Sequence, residues 1–146
     1  MHSHLMFAIC ILFTALAVSP LVGQEPQRFV NMAKVEAGNF LTYRGAVREY
    51  ILDNPGYTGT IVEADLDLPG TYNNIGWSNQ AASGEAWVFG DMAPGGLKIA
   101  VEKMDQPVNL GRNKNGVLES PVHGNTGIAV PGFVPSGQVA AVIANP

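Results

Sequence analysis

Residues 24–53, QEPQRFVNMAKVEAGNFLTYRGAVREYILD, decide the fold of this chain of 146 residues. Pro26 suits the first turn of a helix, and apolar side chains then recur at spacings of three, four or seven residues. These residues are Phe29, Ala33, Ala37, Phe40, Val47 and Ile51. Positions with these spacings share one face of a helix, so the pattern predicts one long amphipathic helix with an apolar packing or assembly face. The turn formers at 53–56 (DNPG) end it.

Downstream of this helix, short β-like runs alternate with Gly, Pro and Asn, and we expect no further long helix. The predicted strands cover residues 58–62, 85–89, 97–101, 108–111, 117–120, 127–130 and 138–143. Residues 85–89 and 97–101 are predicted to form one hairpin, and Asn115-Gly116 predicts the turn of a second. The last run, QVAAVI, is apolar enough for a central or well-covered strand. The predicted fold class is α+β, with the long helix packed on an antiparallel sheet.

Upstream of the helix, the segment that runs from Leu5 to Gly23 contains no charged residue. A membrane-spanning helix needs about 20 apolar residues and tolerates a proline near its end, as at Pro20. The uninterrupted part, residues 5–18, also has the length of a signal-peptide core. The sequence therefore leaves three possibilities open, namely an uncleaved transmembrane anchor, a cleaved signal and a buried helix of a soluble protein. In the first two cases we expect residues 1–23 to be this segment and residues 24–146 to be a single extracytoplasmic domain.

Composition argues against nucleic-acid binding. The chain has 8 basic and 12 acidic residues, a net charge of -4, and no basic run. Four basic residues on the predicted helix, Arg28, Lys34, Arg44 and Arg48, are interleaved with acidic ones, which is typical of a solvated helix face. The single cysteine, Cys10, lies in the apolar segment, so the domain after it has no disulfide.

The residue types that carry chemistry do not form a recognisable catalytic or metal-binding pattern. His123 has no second histidine or cysteine in the domain to share a metal, and His2 and His4 lie in the leading tail. Asp65 and Asp67 lack the spacing of a calcium loop and are typical of a solvated acidic turn. No serine lies in a G-x-S-x-G frame, and no phosphate-binding loop is present. We therefore predict a protein that is not an enzyme and that uses no cofactor and no metal.

The two tryptophans, Trp77 and Trp87, are predicted to pack in the core, as large aromatic residues usually do. An alternative stays open at this stage. Tyr57, Tyr72 and Trp77 would then form an exposed cluster that serves as an assembly surface.

Several patches taken together resemble a known family. They are FLTYRGAV at 40–47, NPGYTGTI at 54–61, LPGTY at 68–72, Gly111-Arg112 with GVLESP at 116–121, and the turn at 131–137 before the last apolar strand. In this order they resemble the small PilM proteins of plasmid-type IVB (thin) pilus systems. The resemblance implies a non-catalytic inner-membrane component of the pilus assembly apparatus, which supports pilus biogenesis and conjugative mating. It also implies other pilus assembly proteins as partners, and it supplies no active-site residues.

The plan of an apolar N-terminal helix, an amphipathic extension and a C-terminal sheet is pilin-like in outline. The chain departs from pilins because it has no Gly-then-aromatic processing site before the apolar helix and no glutamate within it, since residues 5–23 contain no acid. We therefore expect a single-pass inner-membrane protein with its C-terminal domain in the periplasm. Two alternatives stay open, namely a minor pilin-like subunit of the fibre and a secreted periplasmic binding or hydrolase domain. The sequence leaves the oligomeric state open.

Overall fold

The computed structural model describes residues 25–82 and 84–144, which form two α-helices and six β-strands. In chain order these are α1 (Glu25–Asp53), β1 (Ser78–Ala82), β2 (Glu85–Gly90), α2 (Pro94–Glu102), β3 (Leu110–Lys114), β4 (Val117–Ser120), β5 (Gly124–Ala129) and β6 (Val139–Ala144). Single 3₁₀ turns lie at Glu63–Asp65 and Pro107–Asn109. The α+β class predicted from the sequence is confirmed.

The predicted anchor or signal, residues 1–23, lies outside the described residues. Within 25–82 and 84–144, neither helix combines the length and the apolar character that crossing a bilayer requires. The chain divides into two compact units, residues 1–32 and 33–146. The described part of the first unit is the opening of α1, where Phe29 and Met32 are each 68% exposed. The second unit contains the rest of α1, the second helix and the sheet.

The sheet has the strand order β1-β2-β6-β3-β4-β5, and every neighbouring pair is antiparallel. The last strand of the chain, β6, therefore lies in the centre, between β2 and β3. Its residues 139–143 are all buried, which explains their continuous apolar sequence, since both faces of the strand are covered. The predicted central strand is confirmed.

One face of the sheet carries the larger core. From the part of α1 within the second unit, Phe40 and Val47 join Leu97 and Val101 of α2 and alternate residues of β2 and β6 in one buried cluster. The segment between α1 and β1 closes this core with Trp77, whose ring meets Phe40 edge to face at 5.0 Å. Such a pair adds about 1 kcal/mol to the burial of the two rings.

The other face of the sheet is covered by the chain between β5 and β6. Val130 and Val134 of this connection pack on Trp87, Leu118 and the small residues of β6. Arg112 on β3 fastens it, because its guanidinium donates to the carbonyl of Gly137 and, at 2.8 Å, to that of Met92. The predicted packing of helix on sheet therefore covers one face of the sheet, and a loop covers the other face.

The predicted hairpin of residues 85–89 with 97–101 is wrong. Residues 94–102 form α2, which begins with Pro94 in its first turn and buries Leu97, Ala100 and Val101 at helical spacing. Strand β2 instead pairs with β1 and β6.

Among the remaining strand predictions, some are wrong and others are confirmed. Residues 58–62 form no strand, and only an isolated bridge joins Gly59 to Ala81. Strand β1, of sequence SNQAA, is too polar to have been predicted. The Asn115-Gly116 hairpin is confirmed, with both residues at positive φ (54° and 83°) between β3 and β4.

Candidate functional site

The predicted apolar stripe on α1 belongs mainly to the core. Ala37, Phe40, Val47 and Ile51 are buried, and Ala33 is half-buried, whereas Phe29 is 68% exposed and lies outside the core. Use of this stripe in assembly stays a prediction.

The predicted core position of the tryptophans is confirmed, since Trp77 is 4% and Trp87 is 1% exposed. The indole Nε1 of Trp77 donates to Oδ1 of Asn39 at 2.7 Å, and the Tyr72 hydroxyl donates to the same oxygen at 3.1 Å. Burial, and then the neighbouring Tyr43, raise the pKa of Tyr72, which favours the protonated phenol that donates this bond. These side chains fasten the 62–77 segment to α1, so the alternative of an exposed aromatic cluster is wrong.

A second amide ties the edge strand to α1. Asn79 of β1 is 3% exposed, and its Nδ2 donates to the Tyr43 hydroxyl at 2.7 Å and to the Ile61 carbonyl at 2.9 Å. Its Oδ1 accepts from the Ile61 amide at 2.8 Å. The buried amide thus has three partners, as a polar group in a core requires. Its role is structural.

The residues considered for chemistry lie apart. His123 is exposed in the turn after β4, and its backbone N–H points at the Ser120 hydroxyl at 3.5 Å. Asp65 and Asp67 are exposed on the segment after α1, where Glu63 accepts from Asn74. Within residues 25–82 and 84–144, no three His, Cys, Asp or Glu side chains come together as metal ligands do.

A cavity of about 330 Å³ opens beside the middle of α1. Leu41, Arg44 and Arg48 line it from the helix, and Lys103, Met104, Asp105 and Gln106 line it from the turn that follows α2. The three α1 residues fall on one face because they are spaced by three and four. The turn residues are held by backbone hydrogen bonds from Lys103 to Ala100 and from Met104 to Val101, each 3.2 Å long. Two ordered elements therefore form the walls.

Positive charge dominates this cavity, with three cationic side chains and one carboxylate in its lining. Among the described residues two salt bridges form, Arg48–Glu49 and Lys114–Glu119, so Arg44 and Lys103 take part in neither. The Nε of Arg44 is buried and has no hydrogen-bond partner. Burial, followed by the charge of Arg48, lowers the pKa of Arg44, while Asp105 opposes this shift. The arrangement is suited to holding an anionic group.

Sequence reasoning missed this cavity, because it assigned Arg44 and Arg48 to a solvated helix face. One signal pointed to it. Like charges four residues apart destabilise a helix, and the Arg44–Arg48 pair has such a spacing. The opposite wall of the cavity, the turn after α2, was not predicted, since residues 97–101 were predicted as a strand.

Comparison with known proteins gives a consistent result. The family model described as PilM matches residues 6–142, and no curated protein matches the chain. The crystal structure of a protein named PilM from Escherichia coli B7A has a TM-score of 0.60 and 24% sequence identity, over 77% of this chain and 92% of that one. At that identity it shows the fold alone.

A second crystal structure, of a protein named pilM from Pseudomonas aeruginosa 2192, is 27% identical over 77% of this chain and 94% of that one. Its TM-score is 0.43. The match from residue 6 to residue 142 includes both helices and nearly the whole sheet, and it shows that this pilus-related chain belongs to the PilM family.

Proposed function

We propose that this protein is a non-catalytic inner-membrane component of the type IVB (thin) pilus assembly apparatus, and that it supports pilus biogenesis and conjugative mating. The family match over residues 6–142 carries the proposal. It covers most of the apolar segment from Leu5 to Gly23 together with the α+β domain. The family model therefore matches both the segment and the domain.

In this proposal the apolar segment anchors the chain as a single membrane pass, and the C-terminal domain lies in the periplasm. The segment has no charged residue over 19 positions, which is close to the length of a membrane span. The domain then works by contacting other pilus proteins. Its core uses most of the α1 stripe internally, so these contacts fall to the remaining surface of the domain.

The test determines the mature N-terminus and the cell fraction of the protein expressed in its own host. An intact Met1 in the inner-membrane fraction, released only by detergent, is the expected result. A new N-terminus between Val18 and Gln24 together with soluble periplasmic protein contradicts the anchor and supports a secreted domain. Recovery in sheared pili supports a fibre subunit instead.

A deletion strain tests the assembly role separately. We expect loss of thin pili by electron microscopy and a fall in mating frequency in liquid, both restored by the wild-type gene. Normal piliation in the deletion strain contradicts the proposal wherever the protein is located.

A further inference from the structure

The cavity between the middle of α1 and the turn after α2 has the features of a binding site and an excess of positive charge in its lining. Its walls come from two elements that the core fixes in place, since Leu41 and Met104 both pack against the main core cluster. The volume of about 330 Å³ is at the small end of ligand sites in proteins, which span about 300 to 1,000 Å³. It suits one or two side chains.

The cavity lining is positively charged, whereas the chain as a whole is negatively charged. The protein as a whole has a net charge of -4, yet the cavity carries Arg44, Arg48 and Lys103 against Asp105 alone. Like charges held together raise the free energy of the folded state unless an anion joins them. Arg48 has a 3.4 Å contact with Glu49, but with both side chains more than half exposed that contact is weak.

Arg44 supplies the most specific observation. Its side chain lines the cavity, it takes part in neither salt bridge of the described residues, and its Nε is enclosed by protein without a hydrogen-bond partner. A guanidinium presents its N–H groups in a fixed fork that matches the two oxygens of a carboxylate. An oxyanion placed in the cavity would supply the opposite charge that the Arg44 guanidinium lacks among the described residues.

The rest of the lining narrows the choice of anion. Asp105 adds a negative charge to the wall, which penalises a phosphate dianion more than a carboxylate. Leu41 and Met104 are partly buried apolar side chains beside the cations, so the occupant pairs a carboxylate with an apolar group. Glutamate or aspartate next to a leucine or similar residue in a peptide has this chemistry.

We propose that this cavity binds an acidic segment of another pilus protein by seating a carboxylate on Arg44, with Arg48 and Lys103 adding to the attraction and Leu41 and Met104 receiving a neighbouring apolar side chain. The identity of the partner as a pilus protein rests on the proposed function. The carboxylate specificity of the cavity rests on its own geometry.

The test uses the full chain purified in neutral detergent and isothermal titration calorimetry. The probes are the acetylated and amidated pentapeptide Leu-Glu-Leu-Glu-Leu and its counterpart in which Gln replaces both Glu residues. We expect the Glu peptide to bind and the Gln peptide to bind at least about tenfold more weakly, the effect of losing one charge-assisted hydrogen bond. Equal binding of the two peptides, or binding of neither, overturns the proposal.

The matched variants are Arg44→Gln in the cavity and Arg28→Gln on the same helix, where the side chain is exposed. Both remove one positive charge from α1. We expect Arg44→Gln to weaken binding of the Glu peptide by about tenfold or more and Arg28→Gln to leave it within twofold. If melting shows that Arg44→Gln is unfolded, Arg48→Gln replaces it, and an equal affinity in cavity variant and control overturns the proposal.

Two further titrations distinguish the alternatives. Inorganic phosphate and vesicles of phosphatidylcholine with phosphatidylglycerol (3:1) are offered to wild type and Arg44→Gln. We expect the Glu peptide to show the largest dependence on Arg44. Stronger Arg44-dependent binding of phosphate or vesicles overturns the assignment to an acidic protein segment.

The piliation assay separates this proposal from the proposed function. Loss of peptide binding and of thin pili in Arg44→Gln, with Arg28→Gln normal in both, supports both proposals. Normal pili in the deletion strain contradict the assembly role, while the peptide titration still decides the carboxylate site. Absence of peptide binding, with pili lost only on deletion, contradicts the site and leaves the assembly role standing.

Discussion

Asn79 on the edge strand β1 donates a hydrogen bond to the hydroxyl of Tyr43 on α1 across 2.7 Å, with both residues buried. The same amide bonds to both backbone groups of Ile61, next to the isolated bridge that joins Gly59 to Ala81. One side chain therefore joins the long helix, the segment after it and the edge of the sheet.

Removal of this amide is expected to destabilise the domain strongly. Asn79→Ala leaves both backbone groups of Ile61 without their partners in a buried place, at a cost of about 3 kcal/mol in the free energy of unfolding. Tyr43→Phe removes one acceptor only and is expected to cost about 1 kcal/mol. Thermal unfolding followed by circular dichroism measures both. A cost for Tyr43→Phe equal to that of Asn79→Ala would contradict the central position of the amide.

A charge is expected to be tolerated at one end of the α1 stripe and not in its middle. Phe40 is fully buried against Trp77, whereas Phe29 is 68% exposed. Phe40→Asp buries an unpaired carboxylate and is expected to prevent folding, and with it piliation. Phe29→Asp is expected to leave the melting temperature within a few degrees. Normal melting of the Phe40→Asp variant would refute the observed core.

Replacement by alanine is expected to change the stability of the domain in opposite directions at two glycines. A Cβ on Gly111 of β3 would lie 2.5 Å from the carbonyl oxygen of Glu119 on β4, whereas one on Gly45 of α1 meets nothing within 4 Å. Gly111→Ala is therefore expected to destabilise by about 2 kcal/mol, since backbone must move. Gly45→Ala is expected to stabilise the helix by about 0.5–1 kcal/mol. Urea titrations of both variants measure this, and two changes of the same sign would contradict it.

Loss of the imidazole at His123 is expected to have no effect. The side chain is exposed, and the contact of this residue with Ser120 uses its backbone. His123→Ala should therefore retain both the melting temperature and the number of thin pili per cell. A folded variant without pili would reopen the question of chemistry at this turn.

The basic side chains of α1 show which features a sequence pattern can predict and which it cannot. The spacing of Arg44 and Arg48 placed them on one flank of the helix, and this is where they lie. Whether that flank is solvated depended on the turn at 103–106, which is some sixty residues further along the chain. The cavity therefore became visible only with the tertiary structure.

The sequence by itself determined the features that rest on local physical chemistry. Apolar spacing and the DNPG stop set α1, the Asn115-Gly116 pair set one hairpin, and a continuous apolar run marked β6 as central. These signals act over a few residues, because helical periodicity and turn conformation are properties of neighbours in the chain.

Only the tertiary structure decided the rest. The apolar run at 97–101 forms a helix, and the polar run SNQAA forms a strand, because burial and pairing partners distant in sequence override weak local preference. The insertion of β6 between β2 and β3 brings together residues from opposite ends of the sheet region. The unpartnered Nε of Arg44 is likewise a product of packing, since its burial depends on contacts that no local pattern encodes.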